Sequence, residues 1–142
     1  MNGYGEFSYD AIFSVTRNLL IHSGFADSDR DVGEDTLLAE HLGMTEMDKV
    51  RLAYTLIFNS CYDISIGDDE IAGWERVRNV VATVFKKELV FVMARRARGM
   101  PDAVYPFCPL KWDGMFSLEE VIEARLKCGL PPTHLSTYID KL

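Results

Sequence analysis

Apolar residues recur at helical spacing in several separate stretches of this chain, divided by polar segments rich in turn formers. Between Phe7 and His22, the residues Tyr9, Ile12, Phe13, Val15, Leu19 and Leu20 keep a helical period, and Gly24 supplies a stop. A first helix starting near Ser8 is expected. Residues 24–44 have no sustained period and carry Asp27, Ser28, Asp29, Asp31, Gly33, Glu34 and Asp35, the composition of a long ordered loop. Thr45 and Asp48 have the spacing of a helix start, in which the threonine oxygen accepts a backbone N–H and acids meet the positive helix end. Met47, Val50, Tyr54, Ile57, Phe58 and Cys61 then form the stripe of a second helix, widened by Leu52 and Leu56.

Gly67-Asp68-Asp69-Glu70 reads as a turn into a short third helix that Gly73 ends. Val77, Val80, Val81, Val84, Phe85, Leu89, Val92 and Met93 continue at spacings of three and four, predicting a fourth helix from about Glu75 towards Arg98. Within it Leu89-Val90-Phe91-Val92-Met93 is apolar on every face and rich in β-branched residues, which leaves helix and short strand both open for residues 88–93. If helical, this stretch needs a cover. Gly99-Met100-Pro101-Asp102 breaks the helix, and residues 103–116 form an irregular apolar segment containing Phe107, Trp112 and Phe116. Ser117 and Glu120 have capping-box spacing, so a fifth helix is expected from there to Cys128, where Gly129 and Pro131-Pro132 end it. Thr133 to Leu142 adds a last short turn. No internal repeat and no low-complexity tract is evident.

With 142 residues and 48% apolar content, one compact unit is expected over 1–142, an N-terminal bundle over 1–85 and a helical extension packed on it over 86–142. No run approaches the roughly 18 uninterrupted apolar residues of a membrane span. Met1 to Asp10 lacks the basic and apolar signature of a secretion signal, so a soluble cytoplasmic protein is expected. The net charge of -7 is uneven: residues 1–85 hold 15 acids and 6 bases, or -9, and residues 86–142 hold 7 acids and 9 bases, or +2. An acidic body repels phosphate backbones, which points away from nucleic acid and towards a basic protein surface.

The order of signals from Thr36 to Val84 resembles that of acyl carrier proteins. That family opens its second helix with L-G-x-D-S-L-D-x-V-E-L, and the serine is esterified by phosphopantetheine. Leu42, Gly43, Met47, Asp48, Val50 and Leu52 match, and Thr45-Glu46 stands where Asp-Ser is expected. Leu38-x-x-x-Leu42-Gly43 and Tyr62-Asp63-Ile64-Ser65-Ile66 are the strongest parts, the latter similar to the family's F-D-I-x-I-P-D with Gly67 in place of proline. Val77 and Val80-Val81 stand where the family's last helix begins.

Over Ser8 to Phe85, this resemblance implies an all-α, acyl-carrier-like four-helix bundle with an additional helical C-terminal segment. Three departures bear on function: the serine is replaced, about two residues are added before Tyr62, and Ile57-Phe58-Asn59-Ser60 replaces a glutamate cluster that carriers present to their enzymes. A face that is acidic in the family becomes apolar here and needs a cover. Phe107, Trp112, Phe116 and the fifth helix are expected to pack on the second and fourth helices.

A carboxylate cannot be the oxygen of a serine phosphodiester, so no cofactor is expected at the matched position, Glu46, or at its neighbour Thr45. The bland role of Glu46 is dipole compensation in a first helical turn. Ser28, within Asp27-Ser28-Asp29, is a weak candidate for modification. His22, His41 and His134 and the cysteines Cys61, Cys108 and Cys128 show no metal-ligand spacing and no nucleophile signature, so neither a metal nor a catalytic residue is expected. Lys86, Lys87, Arg95, Arg96, Arg98 and Lys111 are the basic concentration, suited to a phosphate, an acidic partner or a helix end. Met44, Met47, Met93, Met100 and Met115 either line an adaptable cavity or fill gaps.

The resulting expectation is a non-catalytic, carrier-like module that binds another protein through Glu46, Asp48, Asp68, Asp69 and Glu70. The partner would have a basic surface, as a lipid or polyketide biosynthesis enzyme does when it meets a carrier. The alternative is a working carrier in fatty acid, lipid or polyketide synthesis, holding 4'-phosphopantetheine on an unusual residue. A binder of a free hydrophobic ligand is a third reading.

Overall fold

The computed structural model describes residues 7–60, 62–101, 114–127 and 129. Five α-helices account for most of them: α1 (Tyr9–His22), α2 (Glu46–Asn59), α3 (Asp68–Ala72), α4 (Val77–Ala97) and α5 (Leu118–Lys127). No β-strand occurs among the described residues, so the fold is all-α there.

Local chemistry sets the helix ends. Ser8 caps α1, its hydroxyl accepting from the Ala11 N–H at 3.0 Å. At the other end Gly24 takes φ +85, and the N–H groups of Gly24 and Phe25 donate to the carbonyls of Ile21 and Leu20 at 3.1 and 2.9 Å. Those two bonds close a Schellman turn that a Cβ-bearing residue enters only with strain. The buried stripe of α1 is Ala11, Ile12, Val15, Thr16, Leu19 and Leu20, and the buried Thr16 hydroxyl is satisfied by the Ile12 carbonyl at 2.9 Å.

The segment between α1 and α2 is irregular, as its composition implies, and contains a 3-10 turn at Asp29–Asp31. What holds it is pairing with the entrance of α4: Leu38 N–H donates to Glu75, Val77 N–H to Thr36 and Arg78 N–H to Glu34, at 2.9, 3.0 and 2.9 Å. Leu37 and Arg76 form an isolated antiparallel bridge there. The loop thereby delivers Val32, Leu38, Leu42 and Met44 to the core. Beside it Tyr9 donates to Glu34; burial first, then this bond and the Glu34 charge, push the phenol up to about 12.

Helix α2 is central. Met47, Val50, Leu52, Ala53, Tyr54 and Leu56 are all buried, so apolar positions wrap most of its circumference. It meets α3 on one side and α5 on another, while α1 packs chiefly on α4. A continuous buried cluster runs through the described residues from Phe7 to Ala124.

Residues 88–93 are helix, which resolves the ambiguity left by their composition. The buried stripe of α4 is Val77, Val80, Val81, Val84, Glu88 and Val92, with Phe85 and Leu89 half-buried. Met93, expected on this stripe, points outward at 56% exposure, because the i+4 position after Val84 is Glu88 and the next is Val92. Nor is the apolar segment covered as expected: Val90 is 69% and Phe91 37% exposed.

The C-terminal helix begins as the sequence implies. Ser117 N–H donates to Glu120 Oε1 at 2.9 Å, and Glu120 N–H donates to Ser117 Oγ at 3.2 Å. Ahead of it, Phe116 lies 5.7 Å from the Phe58 ring, its N–H donates to Thr55 Oγ1 at 2.8 Å, and its carbonyl accepts from Arg51 Nε at 2.6 Å. Phe116 and α5 thus cover the apolar face of α2. The expected second support, α4, is not among the main neighbours of α5. Phe107 and Trp112, and the last turn expected at 133–142, lie outside the described residues.

Candidate functional site

Thr45 is extended (φ -84, ψ 171), which turns its hydroxyl back onto the first turn of α2. Thr45 Oγ1 accepts from the Asp48 N–H at 3.1 Å, and Asp48 Oδ2 accepts from the Thr45 N–H at 2.9 Å. Two backbone donors that the helix itself leaves unsatisfied are met reciprocally. Glu46 occupies the first helical position, where its charge opposes the positive end of α2, and Lys49 Nζ lies 3.3 Å from its Oε1. Thr45→Ala should lower stability by about 1 kcal/mol. Urea unfolding followed by circular dichroism checks this; no loss would mean that the cap contributes nothing.

The remaining acids singled out from the sequence are largely engaged within the molecule. Asp48 also pairs with Arg51 at 3.1 Å. Asp68, the first residue of α3, receives both terminal nitrogens of Arg125 at 2.9 and 3.3 Å. Arg125 belongs to α5, its side chain is wholly buried, and it donates to the Tyr54 hydroxyl of α2 at 3.1 Å. Burial alone would lower the Arg125 pKa, but the bonds to Asp68 and Tyr54 outweigh it and raise it. Glu70 accepts from Lys87 at 2.8 Å and from the Gly67 N–H at 3.1 Å; burial raises its pKa, and these bonds with the Lys87 charge bring the net shift below the ordinary value. Asp69 is exposed and makes no ion pair among the described residues.

The two acid groups flank one structure. Arg51, paired with Asp48, holds the carbonyl that precedes α5, and Arg125 near the end of α5 holds Asp68. Helix α5 therefore lies along α2 between them, and the chain's own cations meet a face that the sequence assigns to a partner. Asp69 and the outer side of Glu46 are what remains for an external cation.

Other candidates are scattered. Ser28 sits before the 3-10 turn and its N–H donates to Asp31 at 3.2 Å. His41 Nδ1 accepts from the Leu37 N–H at 2.9 Å, and His22 is exposed at the end of α1. His134, Cys61, Cys108, Cys128 and Lys111 lie outside the described residues, among which no cluster of potential metal ligands occurs. Met44, Met47 and Met115 are in the core whereas Met93 and Met100 are exposed, so the five methionines do not line one cavity.

Among the described residues, two charged side chains with no solvent exposure escaped the sequence reading. Glu88 is fully buried in α4 and accepts a short hydrogen bond from Ser60 Oγ, which itself accepts from the Tyr62 N–H. Arg125 is the other. Each has a sequence signal: Glu88 stands midway between Val84 and Val92, and Arg125 lies four residues after Val121 on the apolar stripe of its helix.

A groove of about 680 Å³ opens between α3 and α4, floored by Trp74 and Thr83. Asp69 and Glu70 stand on one side and Lys86 and Lys87 on the other. Trp74 is buried and its indole N–H donates to Thr83 Oγ1 at 3.0 Å. Comparison of the chain with family models, curated proteins and solved structures finds no match.

Proposed function

We propose that this chain is a diverged acyl-carrier-like module that acts by non-covalent contact with another protein, without phosphopantetheine and without catalysis of its own. The observation that carries this reading is the entrance of α2. The matched attachment position is a carboxylate, Glu46, paired with Lys49, and the adjacent hydroxyl, on Thr45, is turned inward as the helix cap. The order α1, long loop, α2, short α3, α4 supports the likeness to the carrier bundle. The partner on this reading presents a basic surface, of the kind a lipid or polyketide biosynthesis enzyme offers a carrier, and meets Asp69 and the exposed side of Glu46. Asp48, Asp68 and Glu70 act mainly in holding α2, α3, α4 and α5 together.

The test is co-expression with a broad-specificity phosphopantetheinyl transferase followed by intact-mass measurement. The chain is expected at its unmodified mass. An increase equal to one phosphopantetheine would overturn the reading in favour of a working carrier.

A further inference from the structure

We infer that the outer face of α4, with the groove beside it, is a docking surface for an amphipathic helix of a partner protein that carries carboxylates at both ends of its apolar face. Surface helices ordinarily turn polar residues to solvent. Here Val90 and Met93 are 69% and 56% exposed, and Ala94 and Ala97 continue the same stripe outward. Lys86, Val90, Ala94 and Arg98 recur every four residues, so the stripe is bracketed by two cations about 18 Å apart along the helix, at about 1.5 Å per residue. Lys86 and Arg98 are exposed and make no ion pair among the described residues. The single acid of α4, Glu88, is buried against Ser60. An apolar centre with unneutralised positive ends fits a ligand with the opposite pattern.

The same features disfavour other occupants. A second copy packed through this face would bring Lys86 against Arg98 or against itself, like charges in either direction. A flat anionic membrane cannot fill the groove, and the exposed Asp63 and Asp69 along its far side repel anionic headgroups. Those carboxylates instead suit basic residues on the far edge of a docked helix. This inference does not depend on the carrier-like reading, and its test uses α4 substitutions that leave the α2 entrance untouched.

Two synthetic helices with the same leucine face, one with glutamates and one with lysines at the two ends of that face, are titrated against the full chain by fluorescence polarisation. The glutamate peptide should bind about tenfold or more tightly than the lysine peptide, and Val90→Glu or Met93→Glu should each weaken it by about tenfold. Lys86→Glu with Arg98→Glu should reverse the preference between the peptides, a readout that an unfolded chain cannot give. Because Val90 and Met93 face solvent, their variants should melt with the parent. No binding of either peptide, binding indifferent to Val90→Glu, or a melting temperature lowered by that change overturns the proposal, the last assigning the face to the chain's own residues. A dimer abolished by Val90→Glu, or phosphatidylglycerol vesicle binding in place of peptide binding, overturns it equally.

Discussion

Asp68→Ala is expected to lower the unfolding free energy by about 3–5 kcal/mol, because it removes the carboxylate that both terminal nitrogens of the buried Arg125 guanidinium meet. The Arg125 side chain has no solvent exposure and the Asp68 side chain has 25%, so the cation cannot reach water without moving α5. Tyr54 would remain as a neutral partner, which offsets only part of the loss. The adjacent Asp69→Ala removes an exposed carboxylate that makes no ion pair among the described residues and should change stability by less than about 0.5 kcal/mol. Two neighbouring aspartates are thereby assigned opposite outcomes. Combining Asp68→Ala with Arg125→Leu should recover much of the loss, since the buried cation that Asp68 meets is then gone as well. Urea unfolding of the four proteins measures all of this. Equal effects at Asp68 and Asp69 would contradict the anchoring of α5 by Arg125.

Trp74→Ala should cost about 3–5 kcal/mol, the range for deleting a large buried aromatic ring. Trp74 is 2% exposed and bridges the turn after α3 to α4, where Thr83 accepts its N–H. Thr83 Oγ1 in turn donates to the Asn79 carbonyl at 2.8 Å, so a single hydroxyl serves both the indole and the helix backbone. Thr83→Val removes the acceptor but keeps the shape, and leaving the indole N–H unsatisfied should cost about 1–3 kcal/mol. Denaturation followed by circular dichroism gives both values. A Trp74→Ala loss below that of Thr83→Val would mean that the ring is not packed as described.

The helices were legible because their ends are written locally. Ser8, Thr45 with Asp48, Gly67 with Glu70, and Ser117 with Glu120 each act within four residues of sequence, and each lies at a helix start in the structure. What was not legible depends on residues far apart. Arg125 and Asp68 are separated by 57 positions and Ser60 and Glu88 by 28, and no periodicity reports which buried charge finds which partner. The apolar run 89–93 was ambiguous for the complementary reason: its residues satisfy both periods, and the neighbouring turns of α4 decide for helix. The same limit applies to the candidate site. Composition marks Asp48, Asp68 and Glu70 as acidic surface, but only the packing of α4 and α5 brings Lys87 and Arg125 onto the last two.

On the proposed reading, the entrance of α2 is a carrier-like helix start with Glu46 in the place of the attachment serine. The most direct test of that reading is the intact mass of the parent and of Glu46→Ser after co-expression with a phosphopantetheinyl transferase. The parent is expected unmodified and the variant is expected to bear one phosphopantetheine. A modified parent would contradict that reading, as would a folded Glu46→Ser chain that stays unmodified.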